Sequence, residues 1–228
     1  MSLKSKQKRK KRIKSKGLAV FYSEMIKFFS GVGIFLYLRP KIHRISKKVP
    51  KNIKGRLLIA ANHTSMIDPV ALFCVFWRRR LYFPATEALF SKPINRFFFE
   101  NMNCIRIERN ANNTSAIRKM CALLNDERAV AIFPEGRINA TAEDIEIKLG
   151  TAFMAVKCNC PILPVYISHR EKRWQRIHVV IGEPIFVDAV CKGLARGDAI
   201  AAVSESLKKA EKALEGYYEE KVKGRVEK

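Results

Sequence analysis

Six short apolar runs punctuate the chain: Leu57–Ala61, Leu81–Ala85, Cys104–Ile107, Ala129–Phe133, Ile162–Ile167 and Ile177–Ile181. Each has the length of a strand, and most are apolar at successive positions. A strand solvated on one face alternates, whereas one covered on both faces does not. Between the runs lie helical patterns. Asp68 and Pro69 suit the N-cap and first residue of a helix over Pro69–Trp77, and Arg78, Arg79 and Arg80 follow where cations favour a helix end. Residues 87–102 read as helical. Thr114–Asp126 repeats apolar residues at Ile117, Cys121 and Leu124; Gly150–Cys158 and an amphipathic Ala199–Lys221 complete the set. The alternation predicts an α/β domain with a mixed, mostly parallel sheet covered by helices on both faces. In such sheets ligands bind where strands end and loops begin.

A chain of 228 residues suits one such domain with a small appendage. Residues 1–16 hold nine Lys/Arg and no acid, a disordered basic arm. Residues 17–54 form the appendage and a linker. Leu18–Leu38 is apolar apart from Glu24 and Lys27, and its uncharged part, Phe28–Leu38, is 11 residues. A spanning helix needs ~20. This predicts an N-terminal membrane-associating helical segment lying on the cytoplasmic face of a membrane, ahead of a single span or a buried helix. Lys41–Gly55 reads as a basic linker, and residues 55–228 as the domain. The net charge is +23, and beyond residue 16 there remain 35 Lys/Arg against 21 Asp/Glu. Such a body attracts anionic lipid, phosphorylated substrates, an acidic carrier protein or nucleic acid. The chain shows no nucleic-acid-binding motif, and its aromatics are not interleaved with the basic run, so no nucleic-acid partner is expected. Six cysteines sit mostly in apolar patterns, and Cys158-Asn-Cys160 has poor spacing for zinc. They read as reduced hydrophobes of a cytosol-facing protein.

Three loops after short strands concentrate chemistry: Asn62-His-Thr-Ser-Met-Ile-Asp68, Cys104-Ile-Arg-Ile-Glu-Arg-Asn110 and Phe133-Pro-Glu-Gly-Arg-Ile-Asn139. His63 is suited to take a proton near neutral pH, and a carboxylate such as Asp68 would fix its tautomer. On a straight helix the two would point ~140° apart. They meet only if the bridge curls back; otherwise Asp68 caps a helix and His63 is a core residue. Arg109 offers a donor fork for phosphate, or is a surface cation. Glu135 accepts from a substrate hydroxyl or caps the next segment, and Gly136 permits close backbone approach.

In this order the loops resemble the glycerophospholipid acyltransferase family over about residues 55–190. His63 and Asp68 match its H-x4-D motif. Cys104–Arg109 looks like its second motif, Phe133-Pro-Glu-Gly136 its third, and Cys160-Pro-Ile-Leu-Pro-Val-Tyr166 its fourth. The resemblance implies transfer of a fatty acyl group from acyl-CoA or acyl carrier protein to the free hydroxyl of lysophosphatidic acid, with no other cofactor and no metal. His63 would be the general base and Asp68 would orient it. Arg109 would hold the acceptor phosphate, and Glu135 and Gly136 would position the glycerol backbone. The sequence departs from the family at two places. Arg137 follows Gly136 where the family has Thr, with Ile138 where it has Arg, so Arg137 takes the role of the absent Arg or the loop is one residue short. Thr86-Glu87-Ala88 stands where a Lys-x-Glu segment is common, leaving Arg96, Arg106 or Arg78–Arg80 as replacement cations. A different lysolipid acceptor is the variant reading. Two further classes compete: a non-catalytic basic binding protein, and a metal-dependent hydrolase with His63, Asp68 and Glu135 as ligands. Phe97-Phe98-Phe99 reads as core or as the wall of an acyl groove.

Overall fold

The computed structural model describes residues 33, 35–50, 53–107, 114–134, 149–170, 172 and 174–224. The chain divides into two compact units, Met1–Arg39 and Pro40–Lys228. In the first, residues 35–38 are helical and the Arg39 amide donates to the Phe35 carbonyl at 2.7 Å. The basic arm and most of the apolar segment lie outside the described residues. No described helix is long and apolar enough to cross a membrane.

The second unit is built on seven strands: β1 (Lys41–Arg44), β2 (Leu57–Ala61), β3 (Leu81–Thr86), β4 (Cys104–Ile107), β5 (Ala129–Ile132), β6 (Ile162–Ile167) and β7 (His178–Ile181). They form one sheet in the order β1-β7-β6-β2-β5-β3-β4. Every neighbouring pair is parallel except β6 and β7. The helices are α1 (Asp68–Val75), α2 (Pro93–Asn101), α3 (Thr114–Asn125), α4 (Leu149–Cys158), α5 (Val187–Val190) and α6 (Arg196–Tyr217), the last running into a π-helical turn over Tyr218–Lys223.

The connections explain the layers. β2–α1–β3 and β3–α2–β4 step one way along the sheet; β4–α3–β5 and β5–α4–β6 step back. Right-handed crossovers therefore put α1 and α2 on one face and α3 and α4 on the other. The expected mixed, mostly parallel sheet between helices is what the chain forms. α4 packs on both α3 and α6. Beneath them Leu58, Val130 and Ile162 of the sheet meet Leu124, Ala155 and Leu207 of the helices.

β2 sits at the centre. Leu57, Leu58 and Ile59 are at most 1 % exposed, and each contributes ~1.5–3 kcal/mol by leaving water. The loop that follows Ala61 therefore starts from a fixed point. β5 and β6 flank β2 in parallel, so the loops leaving all three strands emerge at one edge of the sheet.

Several boundaries differ from those read in the sequence. Lys41–Arg44 is not linker but edge strand β1, its register running from Lys41 opposite His178 to Arg44 opposite Ile181. Its basic residues hide it, because charge on an edge strand is how sheets avoid further pairing. The helix expected over 87–102 is a 3₁₀ turn, Glu87–Phe90, followed by α2, which starts at Pro93. α1 ends at Val75, so Arg78, Arg79 and Arg80 lie beyond its last turn. Arg79 instead donates to the carbonyls of Ile53 and, at 2.5 Å, Gly55. Arg56 pairs with Glu127 at 2.9 Å. Together they pin the segment that enters β2.

Candidate active site

The site begins with Asn62, the first residue past β2. Its side chain acts as one more rung of the β2–β6 ladder. Oδ1 accepts the Ile167 amide at 2.7 Å, and Nδ2 donates to the Ile167 carbonyl at 2.9 Å. The chain leaves the sheet at His63 with its backbone already held.

From there the bridge curls back. The Asp68 side chain reaches over the preceding turn, and one oxygen, Oδ2, collects three donors: the Thr64 amide at 2.7 Å, the Ser65 amide at 2.7 Å and His63 Nδ1 at 3.0 Å. The Thr64 hydroxyl lies 3.5 Å from Oδ1. Asp68 is 1 % exposed, and a carboxylate so buried is tolerated only when its lone pairs are filled like this. The side chain is therefore not a cap for its own helix. Asp68 is the first residue of α1, the preceding Ile67 makes no side-chain cap bond, and the amides that the carboxylate binds belong to the preceding loop. Of the two readings left open by the sequence, the structure brings His63 and Asp68 together.

With Nδ1 donating to a carboxylate, the neutral imidazole carries its lone pair on Nε2. The ring is also fixed in plane. It stacks on Phe133 with centroids 4.2 Å apart and 18° between planes. Phe133 leans on Phe83 at 6.4 Å, and Phe83 on Phe73 of α1 at 5.0 Å. This aromatic wall joins the ends of β2 and β5. The His63 side chain remains 16 % exposed. The arrangement can accept a proton at Nε2 and stabilise the resulting imidazolium at Nδ1.

The other expected residues fall differently. Arg109 and the trio Glu135, Gly136 and Arg137 lie outside the described residues, although Phe133, two residues before the trio, is at the site. β4, which leads to Arg109, is three strands from β2, ~14 Å at ~4.8 Å per strand. Arg96 and Arg106 both bind Glu100, at 3.0 and 2.5 Å. Arg106 also reaches Glu87 at 3.4 Å and lies over the Phe90 ring. Side-chain hydrogen bonding from Arg96, then from Arg106, holds the Glu100 carboxyl below its usual range. Arg78, Arg79 and Arg80 follow the far end of α1 from Asp68. Ser65 is turned to local work: its amide binds Asp68, and its hydroxyl accepts the Ile67 amide at 3.4 Å. Phe97 is exposed, whereas Phe99 packs on Phe90 at 5.7 Å.

Burial pushes the Cys104 and Cys160 thiols up to about 12, which keeps them protonated and poorly nucleophilic. All six cysteines are free. Among the described residues no group of three His, Cys, Asp or Glu could hold a metal ion, and the Asp68 oxygen nearest His63 is already occupied by three N–H groups. Sequence reasoning missed Asn62 and the ring of Phe133. The only available signal was their position, one residue past a buried strand.

Residues 41–168 match the family model described as Acyltransferase. A 1-acyl-sn-glycerol-3-phosphate acyltransferase of Borreliella burgdorferi is 28% identical over 122 residues, covering 53% of this chain and 48% of the relative. Tafazzin of Drosophila melanogaster is 24% identical over 147 residues, covering 57% and 38%. The chain thus spans about half or less of the length of these two relatives. Among solved structures, the 1-acyl-sn-glycerophosphate (LPA) acyltransferase PlsC from Thermotoga maritima superposes with a TM-score of 0.58, covering 88% of each chain at 21% identity. That likeness speaks for the fold. With the family model spanning β1 to the end of β6, the chain belongs to the acyltransferase family.

Proposed function

We propose that the chain moves a fatty acyl group from an acyl thioester to the free hydroxyl of a lysophospholipid, with lysophosphatidic acid as the acceptor and phosphatidic acid as the product. The observation that carries this is the 3.0 Å contact between His63 Nδ1 and a buried Asp68 locked by two loop amides. The acceptor hydroxyl gives its proton to Nε2 as its oxygen attacks the thioester carbonyl. Asp68 stabilises the imidazolium that forms. When the tetrahedral intermediate collapses, the C–S bond breaks and the thiolate takes the proton back from Nε2. The thioester is already activated, so deprotonating and aligning the alcohol is the task left to the protein, and no acyl-enzyme is required. Arg109 holds the acceptor phosphate in this scheme, and Glu135, Gly136 and Arg137 position the glycerol backbone. The donor is acyl-CoA or acyl carrier protein, and no other cofactor is used. The basic body and the apolar segment before residue 39 favour work on the cytoplasmic face of an anionic membrane. The glycerophosphate acyltransferase names among the relatives support this substrate class.

A second reading, another lysolipid acceptor, is favoured by the Glu-Gly-Arg loop, which lacks the family's Thr. The test is an acceptor panel. Detergent-solubilised protein receives palmitoyl-CoA, or palmitoyl acyl carrier protein, with lysophosphatidic acid, lysophosphatidylglycerol or lysophosphatidylcholine, and products are identified by mass. Phosphatidic acid as the dominant product supports the first reading. A different dominant product moves the acceptor, and no product with either donor removes the proposal.

A further inference from the structure

A cavity of about 190 Å³ lies on the α1 face of the sheet, at the opposite end of α1 from the His–Asp pair. Its aliphatic side is formed by Ile42 of β1, Leu57 at the start of β2, Val75 at the end of α1, Leu163 of β6 and Ile181 of β7. No residue of the Asn62–Asp68 loop lines it, nor does Phe133. It is separate from the site described above, and nothing in the acyl-transfer scheme uses it.

Its charge is one-sided. Among the described residues, Arg44, Arg78 and Arg79 line it and no carboxylate does. Two of these arginines are engaged. Arg79 donates to the Gly55 carbonyl at 2.5 Å, and Arg78 lies 5.0 Å over the Trp77 ring. Arg44 differs: its Nε is buried and makes no hydrogen bond among the described residues. A buried guanidinium N–H without an acceptor is unfavourable, and its fork geometry suits a carboxylate or phosphate. A purely aliphatic cavity would take neutral hydrocarbon; a lone surface arginine would take a free anion. Here an anion-seeking donor and an aliphatic chamber coincide. The chamber exceeds the ~150 Å³ cavity that holds benzene in an engineered core. It accommodates part of one alkyl chain but not a two-chain lipid. Trp77 lines the cavity and is 73 % exposed, which places it at the mouth.

We propose that this cavity is a binding site for a single-chain anionic amphiphile, its head on Arg44 and its tail against Leu57, Leu163 and Ile181, distinct from the acyl-transfer site. The inference holds whichever acceptor His63 serves. The chain has two tryptophans, so Trp174→Phe leaves Trp77 as the sole reporter at the mouth. Its fluorescence is titrated with octyl phosphate below its micelle concentration, with octanol, and with inorganic phosphate. The expected result is a saturable change with octyl phosphate, at least tenfold weaker with either half-ligand. Arg44→Gln should weaken octyl phosphate binding at least tenfold, and Leu163→Phe, which fills the chamber and keeps the charge, should do the same. No saturable response to octyl phosphate overturns the proposal. So does an equal response to octanol, which would mean apolar adsorption, or an equal response to inorganic phosphate, which would mean a free-anion site. Should Arg44→Gln fail to fold, the three titrations of the Trp174→Phe protein decide the matter without it.

Discussion

Replacing Asp68 by Asn isolates the electrostatic work of the carboxylate. Asn has the same shape. Its carbonyl oxygen can take the place of Oδ2 and accept the Thr64 and Ser65 amides, both now 2.7 Å away. Its NH₂ then lies where Oδ1 was, 3.5 Å from the Thr64 hydroxyl, which can accept. The loop should keep its path. Two charge-assisted bonds become neutral ones of about half the strength, so the fold should lose ~1–3 kcal/mol. Catalysis should suffer more. The imidazolium formed on His63 sits with Nδ1 3.0 Å from the carboxylate. With the delocalised charges centred ~4 Å apart and an effective dielectric near 20, unit charges attract by ~4 kcal/mol. Removing that term from the transition state lowers kcat by about a thousandfold. The assay is thiol release from palmitoyl-CoA at saturating acceptor, beside a thermal melt of the same sample. A kcat within tenfold of wild type, with the melt showing an intact fold, would refute the reasoning, because the carboxylate would then be structural only.

Asn62→Ala removes both bonds to Ile167 and leaves the loop backbone loosely held; two hydrogen bonds of ~1 kcal/mol each and poorer alignment predict a kcat loss of about 10–100-fold with KM little changed. That split is measured by steady-state kinetics, and a raised KM with unchanged kcat would assign Asn62 to substrate binding instead. His178 is 6 % exposed and donates to or accepts from His43 at 3.1 Å; burial first, then His43, Lys41 and Arg176, lowers it to about 4. The unfolded chain therefore binds this proton more readily, so the contribution is intact above about pH 6.5 and is lost as pH falls toward 4, amounting to ~2 kcal/mol by pH 5. Urea melts at pH 7 and pH 5 should show this loss in wild type and a smaller one in His178→Gln; equal pH slopes would remove His178 as the cause. Gly55 has φ 79°, and a Cβ there would lie 2.7 Å from Glu127 Oε2, so Gly55→Ala strains the backbone and displaces the Arg56–Glu127 pair at a cost of ~1–3 kcal/mol, visible as a lower melting temperature without loss of kcat per folded molecule.

The parts of the fold that the sequence announced are those whose physics is local. β2 and β6 begin and end where their apolar runs do, because a central strand is covered on both faces and must be apolar throughout. β1 was invisible for the opposite reason. Lys41-Ile-His-Arg44 is an edge strand, and its partner, His178–Ile181, lies more than a hundred residues away in sequence. The site divides along the same line. His63 and Asp68 stood out as a proton acceptor and a carboxylate five residues apart, but spacing stated only a condition, that the bridge curl back. What meets the condition is the pair of amides at Thr64 and Ser65, backbone groups that carry no sequence signature. Asn62 escaped notice since its partner Ile167 is 105 residues away, and Phe133 because an aromatic at the end of a strand reads as core. Arg106 reads as a spare cation because nothing in its local sequence shows that the fold brings Glu87 and Glu100 to meet it, whereas Arg96 and Glu100 are an i,i+4 pair on α2.

The central claim is that His63 takes the proton of a lysolipid hydroxyl while a thioester is cleaved. Its most direct test mixes wild-type protein and His63→Ala with palmitoyl-CoA, with and without lysophosphatidic acid, and follows free thiol and phosphatidic acid together. The account predicts stoichiometric thiol and phosphatidic acid from wild type only when the acceptor is present, and a rate reduced by at least a thousandfold in a folded His63→Ala protein. Undiminished, acceptor-dependent thiol release from His63→Ala would contradict it.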